Sequence, residues 1–202
     1  MQKQIIQRIP VSDNHISTNL HPIIKQIYAQ RGVSGDTELN LQVSNLADVN
    51  ALEGIQDASE ILHKVMLENQ RIFIIGDFDA DGATSTALMM EGLSLFGYQN
   101  HEFLVPNRFE YGYGLSPEIV EIAYQQGAKT LITVDSGISC HAGVERAKAL
   151  GLTVIITDHH LPGNRLPKAD AIVNPNLESC QFPSKALAGA VSYTHLTLPT
   201  SR

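Results

Sequence analysis

Apolar residues follow two different patterns along this chain. Up to about residue 70 they recur at helical spacing, and from Arg71 onward they gather in short unbroken runs. In HPIIKQIYAQRG (His21–Gly32) the apolar positions share one helical face and a glycine closes the run. DASEILHKVMLENQ (Asp57–Gln70) repeats the pattern, with Ile61, Leu62, Val65 and Met66 on one side. The stretch between them, SGDTELNLQVSNLADVNALEG, is turn-rich and predicts at most a short helix. Beyond Arg71 the runs are RIFIIG (71–76), EFLVP (102–106), TLITVD (130–135), TVIITD (153–158) and AIVN (171–174). Helical stretches at 83–97, 116–126 and 140–150 alternate with them. Such alternation predicts parallel βαβ units: an α/β fold, its sheet flanked by helices on both faces, with a helical extension before it. Nearly continuous apolar strands fit burial on both sides.

The polar residues that interrupt this pattern are placed in a revealing way. Asp77, Asp135 and Asp158 each stand at the end of an apolar run. In a parallel sheet the carboxyl ends of the strands share one edge, where ligands bind. Three distant segments therefore converge there: GDFDADG (Gly76–Gly82), DSG (Asp135–Gly137) and DHH (Asp158–His160). Read alone, D-x-D-x-D-G opens a calcium loop. Counting from Asp77, however, the position that requires a bidentate glutamate is Leu88, and the preceding segment is a strand rather than a helix. A solvated turn with incidental acids is the other plain reading. It leaves unexplained why two further strands end in Asp and in Asp-His-His.

Composition narrows the classes. The chain has 202 residues, 43% hydrophobic and 17% charged, enough to bury a core. No run approaches the ~20 apolar residues of a membrane helix, and the N-terminus lacks a signal-peptide core, so the expected compartment is the cytoplasm. Two cysteines, Cys140 and Cys180, without a CxxC pair make a thiolate zinc site improbable and read as reduced. The net charge of −7 argues against a broad nucleic-acid surface, except that five clustered aspartates would be offset by bound divalent metal.

Carboxylates with imidazole and no thiolate suit Mn²⁺ or Mg²⁺. Acids from several strands point to two ions, typically roughly 3.5–4 Å apart, that share a bridging carboxylate, acidify water and neutralise a phosphoryl group. Neighbours in an extended segment point opposite ways, so one histidine of the pair is expected on metal. That one is His159, leaving His160 for substrate or for supporting contacts. In VPNRFEYGYGLSP (Val105–Pro117), Arg108 is a candidate phosphate contact, and Tyr111 or Tyr113 a candidate platform for a base. A surface arginine in a turn with packing aromatics is the equal alternative.

GDFDADG, VPNRFEYGYGLSP, VDSGIS, VIITDHHLPG, AIVNPN and FPSKALAGA, in this order and spacing, resemble the DHH phosphoesterase superfamily, and the likeness runs from about Leu20 to Ala190. The resemblance is to its bacterial exonucleases specific for single-stranded DNA. It implies 5′→3′ hydrolysis to mononucleotides with Mn²⁺ or Mg²⁺, in DNA repair and recombination, alongside single-strand-binding protein and a helicase. It implies a catalytic set of Asp79, Asp81, Asp135, His159 and His160. Asp79 and Asp135 would hold one ion, and Asp81, Asp135 and His159 the other, with Asp77 and Asp158 in support and Arg108 and His160 toward substrate. DSG stands where the family leads one to expect DNG.

The resemblance also implies a division into a helical region (1–70), a truncated DHH domain (71–190) and a tail (191–202). After LAGA it leads to expect Gly-Val and an apolar helix. The chain instead reads VSYTHLTLPTSR, which looks like translated adapter sequence, with a native edge strand as the alternative, so His195 is not read as a ligand. A further metal-binding aspartate, a second lobe closing the DNA cleft and oligonucleotide-binding modules are expected beyond residue 202, so the chain alone is expected to be weakly active. Two other readings remain: a smaller phosphoesterase of the same superfamily acting on short oligonucleotides or cyclic dinucleotides, and a non-catalytic regulatory domain with an acidic pocket. The last predicts one ion and gives the histidines no role.

Overall fold

In the computed structural model the described residues are 11–12, 15–16, 19–40, 42, 46–185 and 187–189. They fall in two compact units, residues 1–46 and 47–202. The first contains helix α1 (Pro22–Gln30), which starts where the sequence places it because Pro22 fixes the first turn and the His21 ring accepts the Ile23 N–H at 3.3 Å. A short 3₁₀ turn, Asp36–Leu39, follows.

The second unit begins with a 3₁₀ turn (Val49–Ala51) and helix α2 (Ile55–Leu67). Strand and helix then alternate: β1 (Ile72–Ile75), α3 (Ala80–Leu95), β2 (His101–Leu104), α4 (Arg108–Tyr111), α5 (Pro117–Gln125), β3 (Thr130–Val134), α6 (His141–Ala149), β4 (Thr153–Thr157) and β5 (Ala171–Val173). All neighbouring strands pair in parallel, in the order β2-β1-β3-β4-β5. Residue 70 marks the change in texture anticipated from the pattern, while the division between compact units comes earlier, so that α2 lies with the sheet.

Period-two alternation splits the strands between two cores. Ile72, Ile74, Ile132, Val134 and Ile155 face one side, with Leu62 and Val65 of α2 and Met89 and Leu93 of α3. Phe73, Ile75, Leu131, Val154 and Ile156 face the other, against Ile119 and Val120 of α5 and Val144 and Ala147 of α6. Burying side chains of this size stabilises by about 1.5–3 kcal/mol each, so both covers hold the sheet firmly. The exception is β2. It is one of the two edge strands among the described residues, β5 being the other, and its Phe103 stays 53% exposed. Expected two-sided burial therefore holds for β1, β3 and β4 and fails at β2, which has a strand neighbour on one side only among the described residues.

This strand order has one consequence for function. The chain leaves β1 toward β2 in one direction and returns to β3 in the other. The crevice at that reversal, outside the carboxyl ends of β1 and β3, is where open parallel sheets take ligands.

Candidate metal centre

GDFDADG supplies the β1 side of the crevice. The chain leaves β1 at Gly76 and enters α3 within four residues. Asp79 is the N-cap of α3, its Oδ1 accepting the Gly82 N–H at 3.0 Å, and Asp81 lies in the first turn. A carboxylate at a helix N-terminus satisfies open amides and meets the positive end of the helix dipole. The closely spaced aspartates thus gain local compensation before any cation is considered. Asp77 is buried and accepts the Phe78 N–H at 2.6 Å. Gly82 makes the approach feasible: a Cβ there would lie 2.5 Å from the Asp77 Cβ, so only glycine lets the first turn of α3 sit on Asp77.

Asp135 supplies the β3 side. It is 2% exposed and has φ +59°, a left-handed conformation uncommon for a residue with a side chain. Such geometry persists only when its surroundings enforce it. Here Thr133 Oγ1 donates to the Ser136 carbonyl at 2.7 Å, and Tyr113 Oη to the Asp135 carbonyl at 3.2 Å. The Asp135 Oδ1 is buried with no hydrogen-bond partner, and His159 Nε2 lies 2.9 Å from it without the alignment of a hydrogen bond. A buried carboxylate oxygen left so is costly unless something positive completes it. Burial, and next the Asp81 charge, push the Asp135 carboxyl up to about 6.

The third side is the turn after β4. Asp158 is 1% exposed and organises it. One oxygen accepts the N–H of His159 at 2.7 Å, the N–H of His160 at 3.0 Å and His160 Nδ1 at 2.7 Å. The other accepts the Ile138 N–H at 2.9 Å, tying this turn to the β3 side. Because the backbone turns around Asp158, the two imidazoles do not diverge. Their centroids are 4.7 Å apart, and an atom of each comes into one group with Asp135. The expectation that neighbours must point apart fails for this physical reason. Burial lowers the His160 pKa, but the Asp158 hydrogen bond and charge outweigh it, and the net direction is upward.

Among the described residues, ligand-type atoms fall into two groups, each within 4.8 Å: Asp77, Asp79 and Asp135, and Asp135, His159 and His160. Asp135 belongs to both. Asp81 Oδ2 stands 3.6 Å from His159 Nε2, which puts it on the histidine side. Asp79, Asp81, Asp135, His159 and His160 therefore converge, and Asp77 stands among the ligand-type atoms rather than behind them. Carboxylate and imidazole groups around a buried oxygen lacking a hydrogen bond are a donor set that fits hard divalent cations such as Mn²⁺ and Mg²⁺. Beside them is a cavity of about 330 Å³, lined among others by Asp79, Tyr113, Ser139, Asp158 and His160. Tyr113 stands edge-on to His160, with centroids 6.2 Å apart. The Arg108 side chain and residues 191–202 lie outside the described residues.

AIVNPN does more than form the β5 run. Asn174 Nδ2 donates to the His160 carbonyl at 2.9 Å, and Asn176 Nδ2 to the His159 carbonyl at 2.5 Å. Asn174 Oδ1 also accepts the Asn176 N–H at 2.8 Å. The available signal was position: two asparagines directly after β5, at the same sheet edge as the acids.

Comparison with known proteins agrees with this geometry. The profile of the DHH family, N-terminal domain, matches residues 71–198. The single-stranded-DNA-specific exonuclease RecJ of Salmonella typhimurium is 52% identical over 188 residues, 93% of this chain and 33% of the relative. RecJ of Escherichia coli is 51% identical over 191 residues, 94% of this chain and 33% of the relative. The chain thus spans about a third of the length of these curated relatives. A crystal structure of exonuclease RecJ bound to manganese superposes with a TM-score of 0.66 at 32% identity, covering 75% of this chain and 38% of the other. With its parallel sheet, its three converging turns and a family match over most of the second compact unit, this chain belongs to the DHH family.

Proposed function

We propose that this chain carries the metal-binding half of the active site of a single-stranded-DNA exonuclease, a hydrolase of phosphodiester bonds that uses two Mn²⁺ or Mg²⁺ ions. The observation that carries the reading is Asp135, a buried carboxylate common to two ligand groups with one oxygen left without a hydrogen bond. Asp79, with Asp77 beside it, and Asp135 hold one ion. Asp81, Asp135 and His159 hold the other. The manganese in the RecJ structure that superposes on this chain, and the likeness to exonucleases specific for single-stranded DNA, support the metal and the substrate.

A bound pair of divalent ions supplies acidified water and neutralises charge on the phosphoryl group. The remaining tasks belong to the protein. Asp158 fixes the turn, holds the His160 ring through Nδ1 and favours its protonated form. His160, 51% exposed at its side chain, then presents a positive edge to the cavity, where a phosphate oxygen would accept its other N–H. Arg108 serves as a second phosphate contact. Tyr113 borders the cavity with an aromatic face on which a terminal base can stack.

Action in repair and recombination, beside single-strand-binding protein and a helicase, and a cytoplasmic setting in which free Cys140 and Cys180 stay reduced, complete the proposal. No described helix is long and apolar enough to cross a membrane. The regulatory-domain reading is disfavoured by the two ligand groups and by the role they give His159. The test is calorimetric titration of the purified chain with Mn²⁺, together with turnover of 5′-phosphorylated single-stranded oligonucleotides of graded length. Two Mn²⁺ per chain are expected, with EDTA-sensitive release confined to short substrates. A single ion, with no hydrolysis of any length, would favour the regulatory domain.

A further inference from the structure

We infer that Gly189 is a positioning residue for the metal ligands, acting through its backbone N–H and through the absence of a side chain. The inference rests on reading Asp81 and Asp135 as ligands, and it gives a task to the glycine of FPSKALAGA, a motif to which no role was attached. Gly189 is buried. Its N–H donates to Asp81 Oδ2 at 2.9 Å across 108 positions of sequence. That oxygen is also the one facing His159 Nε2 at 3.6 Å. The amide therefore holds the Asp81 oxygen on the histidine side of the cluster, as hydrogen bonds behind metal ligands generally do.

Space makes the same point independently. A Cβ at residue 189 would stand 2.9 Å from the Asp135 Cβ, 3.0 Å from Ser85 Oγ and 3.1 Å from Asp135 Oδ1. Neither neighbour can recoil cheaply. Ser85 is fully buried and its hydroxyl is committed to the Asp81 carbonyl at 2.7 Å. Asp135 is 2% exposed and held in its left-handed turn. A methyl group here would push on both candidate ligands at once, and one of the atoms it meets is the Asp135 oxygen that has no hydrogen bond. The plain alternative is that Gly189 merely lets the chain pass. That alternative predicts lost stability without altered metal binding.

The test compares Gly189→Ala with Gly163→Ala in the same 202-residue chain. Gly163 has nothing within 4 Å of where its Cβ would be and serves as the control. Calorimetry and the EPR spectrum of bound Mn²⁺ are read alongside thermal melting of the metal-free protein. Gly189→Ala is expected to weaken Mn²⁺ binding by roughly 10–100-fold and to change the EPR line shape, with Gly163→Ala like wild type. Wild-type affinity and spectrum in Gly189→Ala overturn the inference. Asp81→Ala separates the two levels. If it too binds Mn²⁺ normally, the ligand reading has failed, whereas if only Gly189→Ala is normal, the positioning role alone has failed. Should Gly189→Ala not fold, the Gly189 amide resonance of the wild type decides. It is expected to shift on adding Mg²⁺ and in Asp81→Ala, and a resonance unmoved by both overturns the inference.

Discussion

The two ends of the sheet hold cavities of similar size and opposite character. The one at the carboxyl edge is about 330 Å³ and the one at the amino edge about 370 Å³. At the amino edge several polar groups bond to one another. Thr130 Oγ1 donates to Gln70 Oε1 at 3.0 Å, Tyr98 donates to the Gln70 carbonyl, Asn100 Nδ2 reaches the Asn69 carbonyl at 2.8 Å, and Arg71 pairs with Glu102 at 2.5 Å. At the carboxyl edge the acids crowd together, one backbone is left-handed and one buried oxygen has no hydrogen bond. Volume does not distinguish the two ends; the crowding of carboxylates and the one buried oxygen without a hydrogen bond do. A cavity with Lys129 in its lining and no cluster of carboxylates has little to offer a cation.

The strongest challenge to this contrast is Asp135→Ala. It removes the group shared by both ligand clusters, so Mn²⁺ binding should fall below detection in calorimetry, while Asp77→Ala keeps at least one ion. Equal stoichiometry in wild type and Asp135→Ala would erase the difference between the two ends. Next is Asn176→Ala, which frees the His159 carbonyl and should lower Mn²⁺ affinity about 10-fold, as loss of a group supporting a metal ligand typically does. An unchanged titration would limit that asparagine to the fold.

The acidity of Asp135 gives a third handle. Its folded pKa is raised from 3.8 to about 6, first by burial and then by Asp81. Between those values the folded chain holds a proton that the unfolded chain has lost, so metal-free stability declines as pH rises through the window. A cation must displace that proton. Mn²⁺ binding should therefore weaken as pH falls below about 6 and release a proton there, measurable as a buffer-dependent calorimetric heat. A flat affinity across this range would show that Asp135 is not engaged. The smallest effect is expected at the other end. Tyr98→Phe loses one hydrogen bond, costs about 1 kcal/mol in denaturant unfolding and leaves Mn²⁺ binding untouched. A change in metal affinity there would mean that the two ends are coupled.

These contrasts also explain what the sequence made legible. Runs such as IFII and TVIIT announced β1 and β4, because a strand buried on both faces is filled mainly by apolar and β-branched residues. The helical stretch expected at 116–126 matches α5, which starts at Pro117 behind the Ser116 cap. Converging acids were legible because parallel pairing sends every strand end to one edge. Exposure of Phe103 was not, since an apolar run does not say which strand will lie at the sheet edge. The meeting of His159 and His160 depended on an aspartate bending its own backbone, and period-two reasoning cannot see that. Gly189 and Asn176 escaped because their contributions are a main-chain amide and a side-chain amide that only the third dimension brings to the acids.

Asp135 also bears on how such a site can be silenced. Left-handed backbone at φ +59° tolerates asparagine nearly as well as aspartate, and few other residues besides glycine. Asparagine replaces one carboxylate oxygen by an amide nitrogen of almost the same size. Asp135→Asn would therefore keep the turn, the sheet and both cores while removing the negative charge on which both ligand groups depend. In a lineage of such chains, that single exchange is a short mutational road to a folded protein that still presents its crevice without the charge that the proposed metal site requires.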